Sequence, residues 1–246
     1  MTAPLIAGNW KMNGLAADLV EVDALAWDLA SAPTLARVAF CPPATLVERM
    51  ARRLQGSVIQ VGGQDCSAEP HGAFTGDISA AMLKDAGVRL VIVGHSERRA
   101  GHGESDAAVL AKALAALALD LEPIICVGET LAQRESGKAI EVVTAQIAGS
   151  IPPNPGRSFA VAYEPVWAIG TGLTPTIAEI EEVHAAIRKA LAKVAGAAGE
   201  AAPILYGGSV KPGNAAEILK AKDVGGALVG GASLKAADFL AIIRAS

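Results

Sequence analysis

Eight short apolar runs punctuate this chain, and longer segments with apolar residues at helical spacing stand between them. The runs are Leu5–Trp10, Val38–Cys41, Val58–Val61, Leu90–Val93, Pro123–Val127, Phe159–Tyr163, Ile204–Tyr206 and Ala227–Val229. Several are apolar at both alternating positions, which suits parallel strands covered on both faces. The helical segments are Leu15–Ala30, Ala44–Leu54, Ser79–Ala86, Ser105–Leu119, Ala139–Ile147, Ile177–Ala195, Asn214–Lys220 and Ala232–Arg244. Thr176 and Glu179 make a T-x-x-E capping box, Pro212 suits a first helical turn, and the Gly196–Gly199 tract is expected to end the preceding helix. Eight strand–helix units in 246 residues match an α/β fold of the (β/α)8 barrel kind. A doubly wound open sheet uses the same alternation and is the structural alternative. No linker or shift in composition divides the chain, so a single domain over 1–246 is expected.

Composition narrows the partners. Hydrophobic residues make up 52% of the chain, enough for a core and too many for disorder. The net charge is −4 with both signs scattered, and no Lys/Arg block offers a nucleic-acid footprint. Cys41, Cys66 and Cys126 are odd in number and far apart, which disfavours a disulfide framework or a zinc site and suits a reducing cytosol. MTAPLIAGNWK lacks the basic-then-apolar pattern of a secretory leader. The least charged stretch, Pro165–Ala178, is short and broken by Pro and Gly, so no membrane span is expected. A cytoplasmic protein follows as the expectation.

Polar residues cluster just past the ends of the apolar runs, where barrel enzymes keep their chemistry. Strand 1 runs into Asn9-Trp10-Lys11, strand 4 into GHSERR (Gly94–Arg99), strand 6 into Glu164, strand 7 into Gly207-Gly208-Ser209 and strand 8 into Gly230-Gly231. Glu164 stands between Phe159–Tyr163 and Pro165-Val166-Trp167. A carboxylate so placed is partly desolvated and gains basicity, although a solvated or salt-bridged glutamate is the commoner fate. His95 opens a short helix over Ser96–Arg99, whose positive end is expected to lower the imidazole pKa and keep it neutral. Lys11 is expected to point its ammonium into the barrel mouth, and the glycines after strands 7 and 8 suit backbone N–H contacts to phosphate. The string Ala168-Ile169-Gly170-Thr171-Gly172 reads as a mobile loop over that phosphate. No G-x-G-x-x-G follows strand 1, which disfavours a dinucleotide enzyme.

A phosphate cradle, a carboxylate, a neutral imidazole and a cation together suggest proton abstraction next to a carbonyl group. Carboxylic acids ionise near pH ~4, so they are weak bases towards carbon, and the developing enediolate needs hydrogen-bond donors. His95, Lys11 and Asn9 are the donors available. No metal or organic cofactor is needed for this chemistry.

The strings AGNWKMNG (Ala7–Gly14), GAFTGDIS (Gly72–Ser79), VGHSERR (Val93–Arg99), CVGET (Cys126–Thr130), AYEPVWAIGTG (Ala162–Gly172), YGGSV (Tyr206–Val210) and VGGASL (Val229–Leu234) stand in one order along the chain. Over essentially its full length the chain resembles the triosephosphate isomerase family. The resemblance implies a TIM barrel that interconverts dihydroxyacetone phosphate and D-glyceraldehyde 3-phosphate. It implies Glu164 as the base, His95 as electrophile and proton shuttle, and Lys11 and Asn9 lining the pocket. Gly170, Ser209, Gly230 and Gly231 would hold phosphate, Ser96 would partner Glu164 while the loop is open, and Glu97 would lie near Lys11. It also implies a homodimer in which the Thr75 loop reaches the partner's pocket, supported by Gln64 and Arg98. Three positions depart from the family's pattern: Gly101 and His102 replace an aromatic pair, Asp65 replaces an Asn and adds charge, and Leu173 replaces a basic residue at the loop's far hinge. The competing readings are another phosphate-binding barrel enzyme, such as a sugar-phosphate epimerase or a ring-closing synthase, and a non-catalytic phosphate-binding scaffold.

Overall fold

The computed structural model describes residues 3–171 and 173–246, so Gly172, the last residue of the AYEPVWAIGTG string, lies outside the described residues. Eight parallel strands close into a barrel in chain order: β1 (Leu5–Asn9), β2 (Arg37–Cys41), β3 (Ile59–Gly63), β4 (Leu90–Val93), β5 (Glu122–Val127), β6 (Ala160–Tyr163), β7 (Ile204–Tyr206) and β8 (Gly226–Val229). The ring shuts where Leu5 to Gly8 of β1 pair with Gly226 to Val229 of β8. This excludes the open doubly wound sheet.

Alternation along each strand explains both layers of the core. Leu5, Ala7, Ala39, Cys41, Leu90, Ile92, Ile124, Cys126, Ala160, Ala162, Leu205 and Leu228 form one buried cluster inside the barrel. Their intervening neighbours, such as Ile6, Val38, Val91, Val161 and Ile204, pack outwards against the helices. A strand with two dry faces must therefore read as a continuous apolar run.

The described helices are α1 (Leu19–Ser31), α2 (Ala44–Arg53), α3 (Ala80–Asp85), α4 (Ser96–His102), α5 (Asp106–Leu117), α6 (Leu131–Glu135), α7 (Ala139–Ser150), α8 (Ile177–Ala201), α9 (Pro212–Ile218) and α10 (Ala236–Arg244). The capping box forms as spelled: the Thr176 hydroxyl accepts from Glu179 N at 3.3 Å and Glu179 accepts from Thr176 N at 2.7 Å. The Gly196–Gly199 tract ends the long regular run of α8, as expected, at Ala195. Gly196 takes a non-helical conformation (φ 55°, ψ −135°), and a separate short helical stretch follows it to Ala201. Arg188 bridges that break by donating to the carbonyls of Gly199 at 2.8 Å and Ala202 at 2.7 Å. The segment expected as one helix over Ala232–Arg244 is also split, into a 3-10 turn (Gly231–Leu234) and α10. The Trp10 indole takes the Ser233 carbonyl at 3.1 Å, removing an acceptor that a continuous helix would use. Helix α6 has no counterpart in the sequence reading.

His184 of α8 is fully buried; its Nδ1 lies 3.2 Å from the Asp223 carbonyl and its ring meets Tyr163 edge-on. Burial drives its pKa from 6.5 down to about 4, against weaker opposing pulls from Asp223. Between those values the unfolded chain binds a proton that the folded chain refuses, so stability is full above pH 6.5 and falls as pH drops towards 4. The loss expected from this residue approaches about 3 kcal/mol at the acid end. Urea titrations between those pH values check it: His184→Gln should flatten the slope, and an unchanged slope would discount the residue.

Candidate active site

Glu164 occupies the next inward position after Ala160 and Ala162, at the C-terminal mouth of β6. Its amide donates to Val127 O at 2.8 Å and Gly207 N donates to Tyr163 O at 2.7 Å, so the sheet ladder continues around it. The side chain is buried; Oε1 lies 2.8 Å from His95 Nε2 and Oε2 accepts from Ser96 N at 2.9 Å. Asn9 repeats the logic on β1, following the inward Leu5 and Ala7. Its Oδ1 accepts from Lys11 N at 3.0 Å.

Lys11 adopts a left-handed backbone (φ 53°), which costs an L-residue about 1–2 kcal/mol. Besides the Asn9 contact, Gln64 Nε2 donates to Lys11 O at 2.8 Å and to Cys41 O at 2.9 Å, which holds the turn in place. Gln64, read from the resemblance as part of a dimer-supporting shell, thus makes its polar contacts inside this chain. The Lys11 ammonium pairs with Glu97. Helix α4 is moored by Arg99, which donates to Gly94 O at 2.9 Å, Asp106 at 2.6 Å, Ser150 Oγ at 3.0 Å and Cys126 O at 3.2 Å.

The electrostatics differ from the sequence reading in both members of the central pair. Burial alone would raise the Glu164 pKa, but the charge and hydrogen bond of His95, and then the Ser96 N–H, bring it below the ordinary carboxylate value. Burial alone would lower the His95 pKa, but Glu164 and then Glu97 raise it above its usual value. The expectations of a raised Glu164 and a lowered His95 are therefore reversed here, because the two groups lie against each other. The helix still acts on His95 by another route. Glu97 N donates to Nδ1 at 3.2 Å, so Nδ1 is the acceptor and the ring proton sits on Nε2, facing Glu164. Burial pushes the Cys126 thiol well above its ordinary value, with Glu164 adding to the effect, so this cysteine stays a neutral neighbour of the base.

Asn9, Lys11, His95 and Glu164 line one cavity of about 590 Å³ together with Gly170, Ser209, Gly230 and Gly231. The glycine-led segment after β8 winds into the short 3-10 turn rather than an α-helix, because Ser233 N and its hydroxyl both donate to Gly230 O, at 2.8 and 2.7 Å. Ser209 is tied to the loop after Glu164, its hydroxyl donating to Ala168 O at 2.9 Å. Among the described residues no cluster of His, Cys, Asp and Glu could hold a metal ion.

Sequence reasoning missed Glu129. It is fully buried at the end of β5, and its Oε1 accepts from the Tyr163 hydroxyl and from Trp167 Nε1, both at 3.0 Å. Its carbonyl accepts from Val166 N at 3.1 Å. Glu129 thus grips the start of the loop that follows Glu164. The available signal was an acidic residue two positions past an apolar strand, close to the signal that marks Glu164 directly after its own.

Away from the cavity, Thr75 is exposed beside the half-exposed Phe74. Arg98 pairs with Asp65 at 2.9 Å and Glu104 at 2.6 Å, and Lys112 pairs with the same two acids at 2.8 and 2.6 Å. Asp65 therefore brings no unbalanced charge, although burial raises its pKa despite the cations around it. Gly101 lies within α4 and Leu173 is exposed.

The family model for triosephosphate isomerase matches residues 4–246. A triosephosphate isomerase of Caulobacter vibrioides is 58% identical over 98% of this chain and 96% of its own length. One from a Ruegeria species is also 58% identical, over 100% of this chain and 98% of its own. The crystal structure of triosephosphate isomerase from Bartonella henselae superposes with a TM-score of 0.91 at 48% identity, covering 98% of both chains. This chain belongs to the triosephosphate isomerase family.

Proposed function

We propose that this isomerase interconverts dihydroxyacetone phosphate and D-glyceraldehyde 3-phosphate by moving one proton between adjacent carbons through an enediolate. Glu164 takes the proton from the carbon next to the carbonyl group and returns it to the neighbouring carbon. His95 Nε2–H faces the substrate oxygen, donates as charge builds there and shuttles a proton between the two oxygens. Lys11 and Asn9 add positive charge and a hydrogen-bonding group where the enediolate oxygens lie. Backbone N–H groups of Gly170, Ser209, Gly230 and Gly231 hold the phosphate, with Ser96 and Glu97 keeping Glu164 and Lys11 in the unliganded arrangement. Substrate entry separates Glu164 from His95 and Ser96. Losing both contacts leaves the buried carboxylate more basic and the imidazole nearer its neutral form, which suits each to its step.

The observation that carries this reading is the 2.8 Å approach of Glu164 to His95 Nε2 in the same cavity as Lys11 and the phosphate candidates. A coupled assay of dihydroxyacetone phosphate isomerisation tests it, and a folded but inactive parent would sink it.

The reading includes a single-domain, cytoplasmic homodimer with no nucleic-acid or membrane partner. The barrel strands run from Leu5 to Val229, and no helix among the described residues is long and apolar enough to cross a membrane. Support for the dimer comes from exposed Met12, Leu15 and Phe74, and from a cavity of about 520 Å³ lined by Gln64, Asp65 and Arg98 that the partner's Thr75 loop would enter. Sedimentation at assay concentration should give twice the chain mass; an active monomer would refute the dimer.

A further inference from the structure

Behind Glu164 lies a second cavity, of about 230 Å³, whose walls include Ser96, Arg99, Cys126, Gln146 and Glu164 itself; none of the phosphate candidates lines it. The base consequently has open space on one side, and the main chain of the β5 end does much of the work of fixing it. Gly128 is central to that. A Cβ added there would fall 1.7 Å from the Glu164 carbonyl oxygen, so the two backbones are in direct contact. Its neighbours on either side, Val127 and Glu129, accept from Glu164 N at 2.8 Å and Val166 N at 3.1 Å.

Gly128 stands just past the last residue of β5, where its peptide groups leave the ladder and need other partners. Both find them in one side chain from α7. Gln146 Oε1 accepts from Gly128 N at 2.7 Å, and Gln146 Nε2 donates to Gly128 O at 3.0 Å. This pair of bonds fixes the position of Gly128 and the orientation of the peptides on either side of it.

We propose that Gln146 is a positioning residue for proton transfer, holding Gly128 so that the backbone of Glu164 cannot drift during the reaction. The inference rests on Glu164 being the base. A kcat loss at unchanged KM and phosphate inhibition distinguishes it from a purely stabilising role, because the phosphate candidates line the other cavity, on the loops after β6, β7 and β8.

The experiment uses the full chain carrying Gln146→Ala or Gln146→Glu, with dihydroxyacetone phosphate as substrate and inorganic phosphate as competitive inhibitor. Gln146→Ala orphans both Gly128 groups, but the adjoining cavity can admit water to them, so the variant is expected to fold. Its kcat should fall about 10- to 100-fold, the loss typical of a reacting group misplaced by roughly an ångström. KM and inhibition by phosphate should stay at the parent values. Gln146→Glu keeps the acceptor for Gly128 N and loses the donor to Gly128 O, so its kcat should fall between the other two. Parent-like kcat in a folded Gln146→Ala overturns the proposal, as does a kcat loss matched by weaker phosphate inhibition. Should Gln146→Ala fail to fold, parent-like kcat in Gln146→Glu overturns it equally. An inactive parent would instead strike at the isomerase reading itself.

Discussion

Glu164→Asp is expected to isomerise dihydroxyacetone phosphate more slowly than the parent by on the order of 100-fold or more, with KM little changed. The reason is the rigidity of the backbone that carries the side chain. Glu164 N is bonded to Val127 O, Gly207 N to Tyr163 O, and Gly128 abuts the Glu164 carbonyl. The backbone therefore cannot advance to make up for the lost methylene, and the carboxylate stops short of the carbon. Glu164→Gln keeps the length and removes the base, so it should lose more, towards the roughly 10⁴-fold upper range of general-base catalysis. Steady-state kinetics on both variants decide the matter. An Asp variant within a few-fold of the parent would mean that the backbone can advance after all, and a Gln variant that active would mean that some other group takes the proton.

Gly226→Ala should cost the fold about 4 kcal/mol or more, placing it among the exceptional single substitutions. Gly226 opens β8 at φ 143°, a conformation open to glycine and hostile to side chains. A Cβ there would stand 2.0 Å from Leu5 O and 2.7 Å from Leu5 C. Leu5 is paired on both sides, to Arg37 of β2 and to Gly226 of β8, so it has nowhere to retreat. Urea unfolding at a fixed protomer concentration measures the effect, since association would otherwise shift the midpoint. A midpoint equal to the parent's would show that the seam can slide.

Much of this was legible in the amino-acid order. All eight strands fall on the expected runs to within two residues, because a strand dry on both faces leaves a continuous apolar signature. The positions of Asn9 and Glu164 follow from the same alternation. What was not legible depends on through-space pairing. The direction of the His95 and Glu164 shifts turns on their 2.8 Å approach, across 69 residues of sequence separation that no local rule spans. The Gly196 stop was legible, but the short helical stretch beyond it, tied back by Arg188 to the Gly199 carbonyl, was not. Gln146 sits among helical residues with nothing nearby to mark it, since its partner belongs to a strand end 18 residues earlier. Asp65 looked like added charge because Arg98 and Lys112 are distant in sequence and adjacent only in the fold.

The seam between β1 and β8 has one more consequence. A Cβ on Gly230 would lie 3.8 Å from Lys11 Cε, so the segments that follow the first and last strands meet side by side at the mouth of the pocket. The proposed base, electrophile, cation and phosphate cradle come from the ends of β6, β4, β1 and the β7–β8 pair, and no contiguous part of the chain supplies them all. During refolding, circular dichroism will register helices as soon as they form, but turnover has to wait until β1 meets β8. Regained activity is thus a clock for the closing of the ring, and its lag behind the helical signal measures how late that closure comes.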